Sequence, residues 1–230
     1  VFDDQVEQFR IILRRLKAIG TFVSTENVLQ MIRGSKPIDR CYFHLSFDDG
    51  YDNVYRNAFP LLKELGLPAA VFVPTLYVGA SDDEARQKWW GKSFQLPIRP
   101  LRWEWVAEMA DTGLDIGSHT RTHAHLSAIS HDPQRLHEEV VGAKRDLEDR
   151  LKRPCRYISW PFGEAKDIDS TALHAIEEAG FDACFSAIPG PVVPGKTSVF
   201  SIPRRHFEPQ WPWLHVRYFV LGSLRRGVSL

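Results

Sequence analysis

The sequence predicts an α/β protein in which parallel strands are covered by helices, either as an open doubly wound sheet or as a closed α/β barrel. Three observations carry this. Strand-like and helix-like segments alternate along the whole chain. The strand-like runs "CYFHLSF" (41–47) and "PAAVFVPT" (68–75) are almost continuously apolar or aromatic, as strands buried on both faces are. A chain of 230 residues with 43% hydrophobic and 25% charged content can also build one substantial core, so a single domain over 1–230 is expected.

Each element has a local reason. In "DDQVEQFRIILRRLKAIG" the residues Val6, Phe9, Ile12, Leu13 and Leu16 share a helical face, and Gly20 ends the run. "STENVLQMIRG" reads as a short helix with Ser24 or Thr25 as N-cap and Gly34 as its stop. After strand 41–47 comes a helix over "NVYRNAFPLLKELG", which Pro60 should kink. Strand 68–75 is followed by a polar, irregular stretch, 76–100, that contains Trp89 and Trp90; a loop that long in a compact domain is usually functional or mobile. "RWEWVAEMADTG" reads as a helix, "LDIGSH" as a strand, and "DPQRLHEEVVGAKRDLEDRLK" as a long charged helix with Pro133 at its first position. "CRYISW" (155–160), "DSTALHAIEEAG" and "FDACFSA" continue as strand, helix and strand. "SVFSIPR" is expected to be the last strand before a Trp-rich tail.

The bulk numbers narrow the partners. Twenty-nine basic residues balance twenty-nine acidic ones, so no net field favours nucleic acid or an anionic membrane, and a neutral polymer or small polar substrate fits better. Cys41, Cys155 and Cys184 have no zinc-type spacing and are read as buried free thiols. No run of about 18 apolar residues occurs, so no membrane span is expected. No signal peptide is evident at "VFDDQVEQF", which a trimmed or mature chain would share, so the compartment stays open.

In either architecture ligands sit at the carboxyl ends of the strands. Asp48 and Asp49 follow strand 41–47; Ser118, His119 and His123 follow the strand at 114–117; "PFG" follows strand 155–160. They converge on one face. Two adjacent carboxylates there are costly unless a cation sits between them. His119 and His123 are four apart, a spacing that lets both imidazoles reach one metal, and two histidines with a carboxylate leave positions open for water. One acid would then be a ligand and the other a general base for bound water. Asp52 is expected to cap the following helix, and His44, in register with Ser46 and Asp48, is read as a core histidine.

"SFDDG" (46–50), "SHTRTH" (118–123) and "SWPFG" (159–163) resemble the ordered motifs of the polysaccharide deacetylases, the NodB-homology domain of carbohydrate esterase family four. The likeness is strongest over about residues 40–205. It implies a distorted (β/α) barrel, usually seven-stranded, with parallel strands and outer helices. It implies an enzyme that hydrolyses carbon–nitrogen (amide) bonds, removing N-acetyl, sometimes O-acetyl, groups from sugars with a divalent metal: zinc first, or nickel, cobalt or manganese. Position by position, Asp48 matches the catalytic base, and Asp49, His119 and His123 match the metal ligands. Thr120 matches the hydroxyl that supports the histidine loop, and the backbone N–H of Phe162 matches the oxyanion donor. The implied mechanism is attack of metal-bound water, deprotonated by Asp48, on the acetamide carbonyl, with an acid protonating the leaving amine.

The resemblance also has gaps. Where many members carry an arginine that steadies the base, this chain has Ser159. The general acid is not in its usual setting; His206 is the first candidate and His125 the second. Tyr51, Trp89, Trp90, Trp160 and Arg204 are the candidate substrate contacts, with Trp211 and Trp213 as further aromatic platforms for sugar rings. The implied partner is a saccharide, as a polymer or a glycan precursor, and the family favours a cell-envelope or secreted setting over a cytoplasmic one. Two alternatives stay open: a saccharide-binding relative without chemistry, and a two-histidine, one-carboxylate iron oxygenase.

Overall fold

The computed structural model describes residues 1–90 and 98–221. Among the described residues seven short strands appear, all paired in parallel: β1 (Thr21–Phe22) with β2 (Tyr42–Phe43), and a five-stranded sheet in the order β3 (Ser46–Phe47), β4 (Ala70–Val73), β5 (Asp115–Ser118), β6 (Tyr157–Ser159), β7 (Ala183–Phe185). The sheet curls into part of a barrel with helices around it, a distorted (β/α) barrel as expected.

The helices are α1 (Val6–Ile19), α2 (Thr25–Ile32), α3 (Phe59–Leu65), α4 (Asp82–Ala85), α5 (Trp103–Asp111), α6 (Leu126–Ile129), α7 (Pro133–His137), α8 (Ala143–Leu151), α9 (Ser170–Glu178) and α10 (Trp213–Leu221). Side chains one residue apart on a strand take opposite faces, and the two faces have different cores. Val71, Val73, Ile158 and Cys184 join one cluster with Phe9, Leu13, Leu62, Met109, Leu147 and Ile176 of the surrounding helices. Ala70, Phe72, Tyr157, Ala183 and Phe185 meet Val28, Leu29, Met31 and Ile32 of α2, which plugs the inner face. Gly117 on β5 is required here, since a Cβ would lie 2.6 Å from the Phe72 ring and 2.8 Å from the Tyr157 carbonyl oxygen.

Several caps follow the sequence. Ser24 caps α2 by accepting from the Asn27 N–H, Asp132 caps α7 ahead of Pro133, and Asp169 caps α9. Other expectations change. The single strand expected over 41–47 divides at His44–Leu45, because the chain leaves β1 as partner and takes up β4. Pro60 produces a wide turn at Val54–Ala58, with the Phe59 N–H bonded to the Val54 carbonyl, so the ring clears the preceding carbonyls without ending the helix. The stretch 198–203 runs beside β7 but makes only an isolated bridge, Phe185 to Ile202, since Pro203 has no N–H to extend a ladder. Asp52 is not a cap. It is buried, accepting the Arg99 N–H at 3.0 Å and the Arg56 Nε–H at 2.9 Å, and so ties the 99–101 segment to the chain after β3. Among the described residues no helix is long and apolar enough to cross a membrane.

Candidate metal centre and active site

The carboxyl ends of β3, β5 and β6 bring the acids, the histidines and the Pro-Phe-Gly turn together. Asp49 Oδ1 lies 3.1 Å from His123 Nε2 and 3.4 Å from His119 Nε2, and one ligand atom from each of the three residues falls within 4.8 Å of the others. His119 is 2% exposed, and its Nδ1 bonds the Ser159 carbonyl at 2.7 Å, which fixes the ring with Nε2 toward Asp49. A carboxylate oxygen and two imidazole nitrogens converging this way are a donor set suited to a divalent cation. Burial alone would raise the Asp49 carboxyl, but the hydrogen bonds and charge of His119 and His123 hold it well below the ordinary carboxylate range.

The backbone pays attention to this spot as well. Of the five non-glycine residues with positive φ among the described residues, four are Asp49 (73°), Thr120 (61°), His123 (61°) and Phe162 (64°). Such conformations are unfavourable for L residues and concentrate at functional sites. In the turn after β6, Gly163 has φ 76° and a Cβ there would lie 2.4 Å from Ala187 Cβ, so only glycine lets this turn pack on the chain leaving β7.

Asp48 stands beside the cluster with a different set of partners. Arg204 grips it with two bonds, Nη1 to Oδ1 at 2.8 Å and Nη2 to Oδ2 at 2.7 Å. The same guanidinium donates to Ser159 Oγ (2.6 Å), Ser46 Oγ (3.0 Å) and the Ser186 carbonyl (2.7 Å). Its five N–H donors are thereby all engaged. Burial works to raise the Asp48 carboxyl; the charges of Arg204 and His119 outweigh it and keep Asp48 below its usual value. Arg204 also lies over the rings of Phe72 and Phe185, and His44, bonded to Thr25 Oγ1 at 3.0 Å and stacked on Phe185, completes the packing beneath. Burial, aided by the Arg204 charge, pushes His44 down to about 3, as suits a neutral core histidine.

The other candidates are dispersed. Tyr51 hydrogen-bonds Asp49 and so borders the cluster. Phe162 is half exposed, with its ring 4.7 Å from that of His123 and stacked at 3.6 Å on His125. His125 in turn meets the buried Asp167 at 3.0 Å, so it borders the site and does not face away from it. Arg204, expected as a substrate contact, has no donor left for a sugar. Trp160, also expected there, is 1% exposed and fills the core, its indole N–H bonded to the Glu164 carbonyl. His206, the first candidate acid, is 69% exposed and paired with Glu208 at 2.6 Å, on the segment leading to α10. Trp211 and Trp213 pack against Ile12, Leu16, Phe43 and Val216. The side chains of Trp89 and Trp90 lie outside the described residues. Thr120 Oγ1 is buried and has no partner among the described residues, so the hydroxyl expected to support the histidine loop does not do so through a hydrogen bond. Sequence reasoning missed the Arg204–Asp48–Ser159 network; the one signal was the absence of an arginine at position 159.

Comparison with known proteins agrees with the motifs. A family profile described as polysaccharide deacetylase matches residues 36–184, well over half of the chain. YxkH of Bacillus subtilis (strain 168), named as a candidate polysaccharide deacetylase, is 28% identical over 170 residues, 74% of this chain and 53% of that protein. The poly-β-1,6-N-acetyl-D-glucosamine N-deacetylases of Escherichia coli (strain K12) and Staphylococcus aureus (strain MRSA252) are 26% and 24% identical over 79% and 74% of this chain. The chain spans only 30% and 59% of those two relatives. Among solved structures, IcaB from Ammonifex degensii superposes with a TM-score of 0.75 at 23% identity, covering 94% of this chain and 88% of that one. The Streptococcus pyogenes deacetylase PplD, solved with acetate, gives 0.75 at 19% identity over 94% and 86%. At such identities these two likenesses speak to the fold.

Proposed function

The chain belongs to the polysaccharide deacetylase family, and on that premise we propose that it is a metal-dependent hydrolase removing N-acetyl groups from an N-acetylhexosamine-containing saccharide. The observation that carries the reading is the division between the two adjacent acids: Asp49 faces two imidazoles, and Asp48 is held apart on Arg204. Asp49, His119 and His123 would hold the cation, zinc first, with nickel, cobalt or manganese as alternatives. When bound, such an ion lowers the pKa of coordinated water and polarises a carbonyl.

The chain's own groups supply the rest. Asp48, kept ionised by Arg204, accepts a proton at its carboxylate from the attacking water. The field that keeps Asp48 ionised also makes it a weaker base, so it suits a water that is already acidified. The Phe162 N–H has no acceptor among the described residues, in a turn fixed by Gly163, and would donate to the developing oxyanion. The proton taken up by Asp48 is then available to the departing nitrogen. Phe162 and Tyr51 border the space where the acetamide would lie. An iron oxygenase would leave the Arg204-held Asp48 idle, and a binding module without chemistry would not need it ionised.

Acetate release from a panel of N-acetylated saccharides tests the proposal, with poly-β-1,6-N-acetyl-D-glucosamine first because the Escherichia coli and Staphylococcus aureus relatives are named for it. Wild-type protein loaded with zinc should release acetate, and Asp48→Asn should lose about 10²–10⁴-fold in kcat while still binding the metal. Equal turnover by the two proteins would remove Asp48 from the base role. Silence of the wild type on every substrate would favour the binding module.

A further inference from the structure

Glu139 is a buried carboxylate, 5% exposed, in the wide turn Glu138–Gly142 that joins α7 to α8. It touches none of the three candidate ligands. Its oxygens are spent on Arg121 and Thr122, the two residues immediately before His123 in the loop that leaves β5. Oε2 accepts the Arg121 N–H at 3.0 Å and the Thr122 N–H at 2.8 Å, while Oε1 accepts the Thr122 hydroxyl at 2.5 Å. We propose that Glu139 is a positioning residue for the cation site, presetting the loop so that His123 is delivered in its ligating conformation before any ion arrives. This rests on the reading of Asp49, His119 and His123 as the cation's ligands.

Three features argue for it. The loop departs from favourable backbone at both ends of the Glu139 contact, at Thr120 and at His123, each with φ 61°. Left alone, such a segment would relax away from that shape, and an acceptor that takes two consecutive N–H groups opposes the relaxation. The hydroxyl that could have served instead, Thr120 Oγ1, is unpartnered among the described residues. The rest of the loop is held from the same helical stretch: Glu138 and Asp146 take the Arg121 guanidinium at 2.6 and 3.1 Å. Asp146 also accepts from Thr75 Oγ1 at 2.7 Å, tying that stretch to the end of β4. The loop is therefore clamped between helix and sheet, and Glu139 is the clamp nearest His123 in sequence.

A carboxylate buried this way could instead be a buttress of the fold with no bearing on the ion. Zinc affinity, measured by competition with a chelator, separates the two when read beside the melting temperature of metal-free protein. For Glu139→Ala the expected result is zinc binding weakened by about 10–100-fold, the usual cost of losing a group that orients a ligand. Glu139→Gln keeps an oxygen for both N–H groups and should stay close to wild type. Thr122→Val loses one contact and should fall between. Folded Glu139→Ala protein that melts lower without metal yet binds zinc like wild type would overturn the proposal in favour of a buttress. Should Glu139→Ala fail to fold, Thr122→Val decides: unchanged affinity overturns the proposal and weakened affinity supports it. A wild-type protein that binds no zinc overturns both this inference and the cation site on which it rests, so the two failures are distinguishable.

Discussion

Arg204 sets what Asp48 can do. A carboxylate beside a second carboxylate and two imidazoles could drift onto the cation or take up a proton. Two parallel bonds from a guanidinium with no spare donor prevent both. The sign of its effect can be worked out. The Arg204 charge favours the ionised form of Asp48 and lowers its pKa, and in the proposed mechanism the ionised form is the active one. Arg204→Met removes that help, so the pKa rises and the acid limb of the kcat/KM profile should move to higher pH. kcat should also fall by about 10–100-fold as the base loses its orientation, while zinc affinity stays near wild type. A profile whose acid limb does not move would mean that Asp48 is not the titrating base. Arg204 also shows why the site was only partly legible. Asp48, Asp49, His119 and His123 lie in short motifs where residue type and spacing announce the chemistry. Arg204 reaches Asp48 from 156 residues away, and nothing local in "SIPRRHF" tells a base-holding arginine from a solvated one.

At the scale of elements, the helices were the most readable parts, because a buried face at helical spacing and a capping residue are both local. The strands were less so. "CYFHLSF" is one apolar run in sequence but serves two sheets, and the change of partner at His44–Leu45 is set by where β1 and β4 lie, not by its own residues. "SVFSIPR" has strand-like composition but lies at the sheet edge and carries Pro203 where a ladder would continue. Asp52 is a similar case: its place near a helix start suggests a cap, yet its carboxylate is used across the fold on Arg99. That contact joins the end of the long 76–100 stretch to the chain carrying Asp48 and Asp49, together with the Leu101 N–H bonded to the Gly50 carbonyl at 2.8 Å. Removing a buried acceptor leaves its donor unsatisfied. Asp52→Ala should therefore cost about 1–3 kcal/mol of stability, read as a lower denaturant midpoint at unchanged slope. A midpoint equal to wild type would show that water replaces the carboxylate there.

For the whole molecule, the candidate site is a long-range construction. Asp49 and His123 are 74 residues apart in sequence, and they meet only because β3 and β5 both flank β4 with their carboxyl ends on one side. The unfolded chain has no such site. A cation held by these three groups therefore binds the native state almost alone, and its binding free energy adds to stability. The metal-free protein also carries the strain of Asp49, Thr120, His123 and Phe162 in left-handed backbone, with the Asp49 carboxylate and two imidazoles crowded together. Loading with zinc at about 100 times its dissociation constant should add about 2.7 kcal/mol. At about 2–4 °C per kcal/mol for a chain of this size, the melting temperature should rise by about 5–11 °C over chelator-stripped protein. His119→Ala removes one proposed ligand and should abolish most of that rise, while Asp48→Asn should keep it, because in the proposed site Asp48 is engaged by Arg204 and is not a ligand. If Asp48→Asn loses the rise as completely as His119→Ala does, the two acids share the metal, and the division of labour proposed for them is wrong.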